Sequence, residues 1–144
     1  MSRVINTNSP GKVRNRNKRT IAEILRRVST KTTFDGEVKD MSAALVYSLR
    51  EIHDSTLVTI EAWEKRGYWM KADRFMREWE WSNEMAANLE DVLRNEAWDL
   101  VPGLLGELSA RTADVQVKNM TRTPSHWRGA YQKLLSEPPS ELPY

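Results

Sequence analysis

The chain has 144 residues, 40% of them hydrophobic and 29% charged, which suits one domain burying roughly 68–70% of its unfolded surface. It contains no cysteine, so disulfides, thiolate metal sites, iron–sulfur clusters and cysteine nucleophiles are excluded. The formal net charge of +2 conceals a division: residues 1–31 hold nine Lys or Arg against the single Glu23, net +8, so the remaining residues carry −6.

Residues 1–19, MSRVINTNSPGKVRNRNKR, show no hydrophobic periodicity and are rich in Asn and cations, the composition of a disordered or extended basic arm. Lys12, Arg14, Arg16, Lys18 and Arg19 form a dense cationic run interleaved with Asn side chains that can donate to phosphates or base edges. The same composition also serves as a solubilising tail, and no aromatic residue in the run offers a surface for base stacking.

Thr20-Ile21-Ala22-Glu23 has the pattern of a capping box and predicts a helix starting there, with Glu23, Arg26 and Arg27 on its outer face. Asp35 is a candidate N-cap for a second helix reaching about Arg66, along which Val38, Met41, Leu45, Leu49, Ile52, Thr56, Ile60 and Trp63 trace one stripe. At Gly67 the stripe changes phase, which predicts a tight turn and an antiparallel hairpin; a single bent helix is the alternative.

The stretch Trp63–Trp81 holds half of the aromatic residues and organises the chain. In the third helix Tyr68, Trp69, Ala72, Phe75, Met76, Trp79, Ala86, Leu89 and Leu93 share one broad face, expected to be core. Met70, Trp81, Met85 and Val92 form a thinner second stripe, the candidate partner interface, since Trp and Met are favoured at contact surfaces. Asn95 closes this helix. Two short helical pieces follow between Trp98 and Leu108, then a segment without helical period, and Thr123-Pro124 predicts a last helix through Trp127, Ala130, Tyr131 and Leu134. A proline-rich tail covers residues 137–144.

The opening INTNSPGK, the segment WEKRGYWMKADRFMREWEW and the later WRGAY resemble features of an uncharacterised family of small bacterial helical proteins with no assigned function. The likeness spans most of the chain. It implies a bacterial single-domain protein and carries no activity or site residues.

Catalytic signatures are scarce. His53 and His126 stand far apart and neither belongs to a metal-binding pair, so no metal or cofactor is expected. Arg50 with His53 and Arg122 with His126 do not match the arginine–histidine spacing of helical ribonucleases; an enzyme would require a polar cleft around one of these pairs. There is no glycine-rich phosphate loop and no nucleophile elbow. No apolar run approaches the roughly 18–20 residues of a membrane span and no secretory signal is present, so a cytoplasmic location without membrane contact is expected.

The expected architecture is therefore an all-α helical bundle built on a long antiparallel helix hairpin, with a flexible basic arm (1–19), one helical domain (20–136) and a tail (137–144). The expected function is that of a non-enzymatic binding protein whose Lys12, Arg14, Arg16, Lys18, Arg19, Arg26 and Arg27 contact nucleic-acid phosphates without strong sequence specificity. The alternative is a protein–protein adaptor or homo-oligomer using the Met70, Trp81, Met85 and Val92 face.

Overall fold

The computed structural model describes residues 9–140, and every regular element among them is helical. The α-helices are α1 (Pro10–Ser29), α2 (Gly36–Lys65), α3 (Trp69–Arg94), α4 (Val101–Arg111) and α5 (Ala130–Ser136), with 3₁₀ turns at Trp98–Leu100 and Pro124–His126.

The first helix begins ten residues before the capping box. Ser9 accepts from the Lys12 amide at 3.4 Å and Pro10 occupies the first turn, where its missing N–H leaves nothing unsatisfied. Residues 10–19 are thus half of α1 rather than a flexible arm, and the 19/20 boundary falls inside that helix; residues 1–8 lie outside the described part. Packing against the rest of the fold offsets the weak intrinsic helix preference of the Asn residues: Asn17 is buried, its amide donating one turn back to the Val13 carbonyl, and Arg14 reaches α2. Thr20 and Glu23 are also buried mid-helix, and Thr20 donates to the Arg16 carbonyl instead of capping.

Asp35 caps α2 by accepting from the Val38 amide at 3.1 Å. The helix closes at Gly67, whose φ of +79° is the left-handed conformation that glycine adopts without strain. The chain then folds back: Trp63 lies 5.1 Å from the Phe75 ring close to the turn, and Arg50 meets Glu90 at 2.8 Å farther along. Ile21 and Ile24 of α1, Met41, Leu45, Leu49 and Ile52 of α2, Leu89 and Leu93 of α3, Leu108 of α4 and Leu134 of α5 form the enclosed core.

The C-terminal half of α3 is covered on two sides, so the broad face and the thin stripe both contribute to the core there. Met85 and Val92 are buried, and half-buried Trp81 stacks on Trp79 at 6.1 Å beneath the Arg111 guanidinium. Towards the turn both stripes come to the surface apart from Ala72 and the half-buried Phe75. Tyr68, Trp69 and Met76, expected inside, and Met70 are exposed, because α1 reaches along α2 only to about Thr59 and, among the described residues, no element covers the end of the hairpin.

The last helix also differs from expectation. Thr123-Pro124 opens one 3₁₀ turn, Trp127 is buried, and Gly129 at φ +81° redirects the chain before α5 starts. The carboxylate of Asp40, on α2, accepts from the Gly129 and Tyr131 amides at 3.1 and 3.0 Å and so caps α5 from another helix. Among the described residues no helix is long and apolar enough to cross a membrane.

A basic cleft as the candidate functional site

Most of the cations expected to meet phosphates are engaged within the fold. Arg14 donates to the Ser55 carbonyl and the Thr59 hydroxyl and lies 4.8 Å over Phe75 and 5.5 Å over Trp79; burial pushes its pKa down. Lys18 pairs with Asp114 at 2.9 Å, Arg19 with Glu23 at 2.8 Å, and Arg27 approaches Glu37 at 3.9 Å. Arg19 also donates to the Gln116 and Asn119 carbonyls, and Arg26 to that of Val117. The segment between α4 and Pro124, which has no helix or sheet of its own, obtains hydrogen bonds from α1 in this way. Lys12 and Arg16 make no side-chain hydrogen bond or ion pair among the described residues.

Glu23 holds the other strand of this contact. It is fully buried and accepts from the Thr121 amide and hydroxyl, the Arg122 amide and guanidinium, and Arg19. Burial pushes its pKa up, but these hydrogen bonds outweigh that effect and hold it at about 2. Its expected place on a solvent face is thereby corrected.

Anchoring this segment opens a cleft of about 440 Å³ between α1, α2 and the residues around α5. Arg16, Arg122, Arg128, Lys133 and His126 line it, against one carboxylate, Glu51. Arg122 is committed to Glu23, Thr20 and the Arg16 carbonyl. Arg16, Arg128 and Lys133 make no ion pair among the described residues. Lys133 lies 4.6 Å over the Tyr47 ring, whose hydroxyl donates to Glu137 at 2.7 Å. Burial and the Glu137 carboxylate raise the Tyr47 pKa to about 12, so this residue is a neutral aromatic wall at ordinary pH. Ser48, only 5% exposed, also lines the cleft. Its hydroxyl makes no hydrogen bond among the described residues, whereas Ser55 and Ser82 each donate to a carbonyl of their own helix.

The WRGAY segment shapes one wall. Trp127 is buried and its indole donates to Glu37 at 3.3 Å, Gly129 reverses the backbone, and Asp40 holds the start of α5; Arg128 is left exposed at the rim. Arg128, Lys133 and Ser48 were not identifiable as site residues in the sequence, since each comes from a different element and no linear pattern joins them. The cationic side chain around the buried tryptophan was the one available signal.

The other candidate residues do not converge. Met85 and Val92 lie inside the core, Trp81 is half-buried and Met70 is 80% exposed at the far end of α3, so the four do not form one surface. Arg50 is held by Glu90 and Glu137, while His53 borders a separate groove with Glu80 and Glu84. The buried His53 Nδ1 has no hydrogen-bond partner among the described residues. His126 is exposed, and the Arg122 beside it is already bound to Glu23. Among the described residues no three His, Asp or Glu side chains gather where they could hold a metal ion. No protein-family model, curated protein or solved structure matches the chain.

Proposed function

We propose that the protein is a non-enzymatic nucleic-acid-binding protein that takes backbone phosphates in the cleft between α1, α2 and the α5 region. What carries this reading is the excess of positive charge there: Arg16, Arg128 and Lys133, free of ion pairs among the described residues, face one carboxylate. Guanidinium groups match phosphate oxygens in a bidentate fork, and Lys133 adds a point charge. The nearly buried Ser48 hydroxyl supplies a donor at the floor. Such contacts position a backbone and read no base sequence.

The binding surface shifts from the whole basic run to Arg16 and the C-terminal cations, because Arg14, Lys18, Arg19, Arg26 and Arg27 make contacts within the fold and Lys12, though exposed, does not line the cleft. The protein–protein alternative loses Met85 and Val92 to the core.

The test is fluorescence anisotropy of labelled DNA and RNA over a salt series. Three phosphate contacts give a slope of log affinity against log salt of about −2 to −3, and Arg16→Ala with Arg128→Ala removes about two units of it. Lys18→Ala, whose partner is Asp114, leaves the slope unchanged. Equal slopes for the wild type and the double variant would sink the proposal.

A further inference from the structure

The end of the α2–α3 hairpin exposes large apolar side chains in close succession. Tyr68, Trp69 and Met70 are 51%, 64% and 80% exposed, and with Gly67 and Lys71 they line an open hollow of about 560 Å³. Removing water from such side chains is favourable, and a contiguous exposed group of them marks a contact surface. Farther along the hairpin, Phe75 and Trp79 are partly covered beneath Arg14, and the exposed apolar side chains there, Leu57, Val58 and Met76, are aliphatic, so the exposed aromatic rings of the hairpin belong to the tip.

The charges around the tip favour an anionic occupant. Glu61 pairs with Lys65 and Asp73 with Arg77. Arg66, Lys71 and Arg74 are exposed and make no ion pair among the described residues, against two remaining unpaired carboxylates, Glu64 and Glu78, and Lys71 lies over the Trp63 and Tyr68 rings. A second copy of this chain docking through the same surface would bring these cations against themselves. Flat aromatic rings ringed by cations suit nucleobases, whose π-faces stack on Tyr and Trp while their phosphates meet Lys and Arg. Stacking needs bases that are not already stacked in a duplex, so single strands are favoured over double.

We infer that the hairpin tip is a base-stacking platform for single-stranded nucleic acid, with Trp69 as its main surface. This rests on the reading of the basic cleft as a site for the same ligand's phosphates, and it adds a preference that the cleft lacks. The tip selects single strands through their bases, and the cleft holds the backbone of either form.

The experiment measures binding of thymidine and uridine oligonucleotides of about twelve residues, a duplex of the same length, and vesicles of phosphatidylcholine with phosphatidylserine. The proteins are the full chain, Trp69→Ala, Trp69→Phe and the Arg16→Ala/Arg128→Ala variant. Trp69 is exposed, so both of its variants keep the fold, which circular dichroism checks. The expected result is about tenfold weaker single-strand binding by Trp69→Ala, near-complete recovery in Trp69→Phe, and duplex affinity unchanged in both. Tryptophan fluorescence of the wild type falls on adding the single strands, and that change is absent from Trp69→Phe.

Wild-type affinity in Trp69→Ala, together with weakened binding by the Arg16/Arg128 variant, overturns the tip and leaves the cleft standing. Failure of the wild type to bind any oligonucleotide overturns both. A Trp69-dependent fluorescence change with vesicles, and none with single strands, overturns the inference in favour of an anionic membrane surface.

Discussion

Thr121 donates to the carboxylate of Glu23 from both its amide and its hydroxyl, each at 2.6 Å, across 98 residues of chain. This contact ties the middle of α1 to the irregular segment that bounds the basic cleft, and Arg122 reinforces it from the next position. Replacing Glu23 by Ala leaves the Thr121 and Arg122 amides and the Arg122 guanidinium short of an acceptor. Removing one member of such a buried charged cluster costs about 3–5 kcal/mol. Urea denaturation of Glu23→Ala is expected to show a loss of that order, and a loss below about 1 kcal/mol would contradict the assigned role.

The same carboxylate gives stability a defined acid dependence. Its folded pKa, about 2, lies below the ordinary value of 4.5, so folding favours the ionised form. The contribution is complete above about pH 4.5 and is lost as pH falls towards 2. It amounts to roughly 3 kcal/mol on the scale of 1.36 kcal/mol per pKa unit. Stability measured against pH should drop through this window, and the drop should be smaller in Glu23→Gln.

Arg14 is assigned to the fold and not to phosphate. Arg14→Ala removes hydrogen bonds to Ser55 and Thr59 and the cation over Phe75 and Trp79, at a cost of about 1–3 kcal/mol. Arg14→Lys recovers little of this, since an ammonium lacks the planar fork and the stacking face. The salt slope of nucleic-acid binding should be the same in Arg14→Ala as in the wild type, measured where the variant remains folded.

Removing residues 1–19 would delete buried Asn17 together with the Arg14, Lys18 and Arg19 contacts. The truncated chain should be substantially destabilised, with its thermal midpoint lowered or its transition no longer cooperative. Removal of residues 1–8 should leave α1 and its Ser9 cap in place. Thermal unfolding of the two truncations, side by side, separates an arm from a structural helix.

Trp81→Asp should destabilise the fold instead of merely cutting off a partner, because Trp81 packs on Trp79 and under Arg111. Met85→Ala is expected to cost about 2–5 kcal/mol, as for other truncations of a buried methionine. Unchanged denaturation midpoints would return both side chains to the role of an exposed interface.

The helical elements were largely legible in local chemistry, the site much less so. Asp35, Gly67 and Asn95 carry their signals in the residue itself: a capping carboxylate, a left-handed turn and a helix end. Ser9-Pro10 carries the same kind of signal as Thr123-Pro124, yet the polar composition of residues 10–19 masks it, because the partners of Arg14 and Lys18 lie on distant elements and Asn17 is buried by them. Thr123-Pro124 in turn promised a helix and opened a single 3₁₀ turn, because Gly129 lies six residues beyond Thr123 and α5 takes its cap from Asp40. Periodicity correctly separates polar from apolar faces of α3 but is silent on how far α1 extends along the hairpin. That length decides whether Trp69 is core or surface. The cleft depends on Glu23 being an acceptor for a distant backbone, and no spacing rule within α1 distinguishes this from a solvated carboxylate.

The 98-residue separation between Glu23 and Thr121 also imposes an order on synthesis. Translation at about 5–20 residues per second puts Thr121 on the ribosome roughly 5–20 s after Glu23. Throughout that interval the cations of α1 lack the carbonyls of residues 116–119, and α5 does not yet exist to be capped by Asp40. The hairpin can close first, but the basic cleft is assembled only once residues 116–136 have left the exit tunnel. A nascent chain halted before Arg128 would display α1 as a bare cationic helix beside ribosomal RNA, so concealment of those charges waits on the segment that Glu23 anchors.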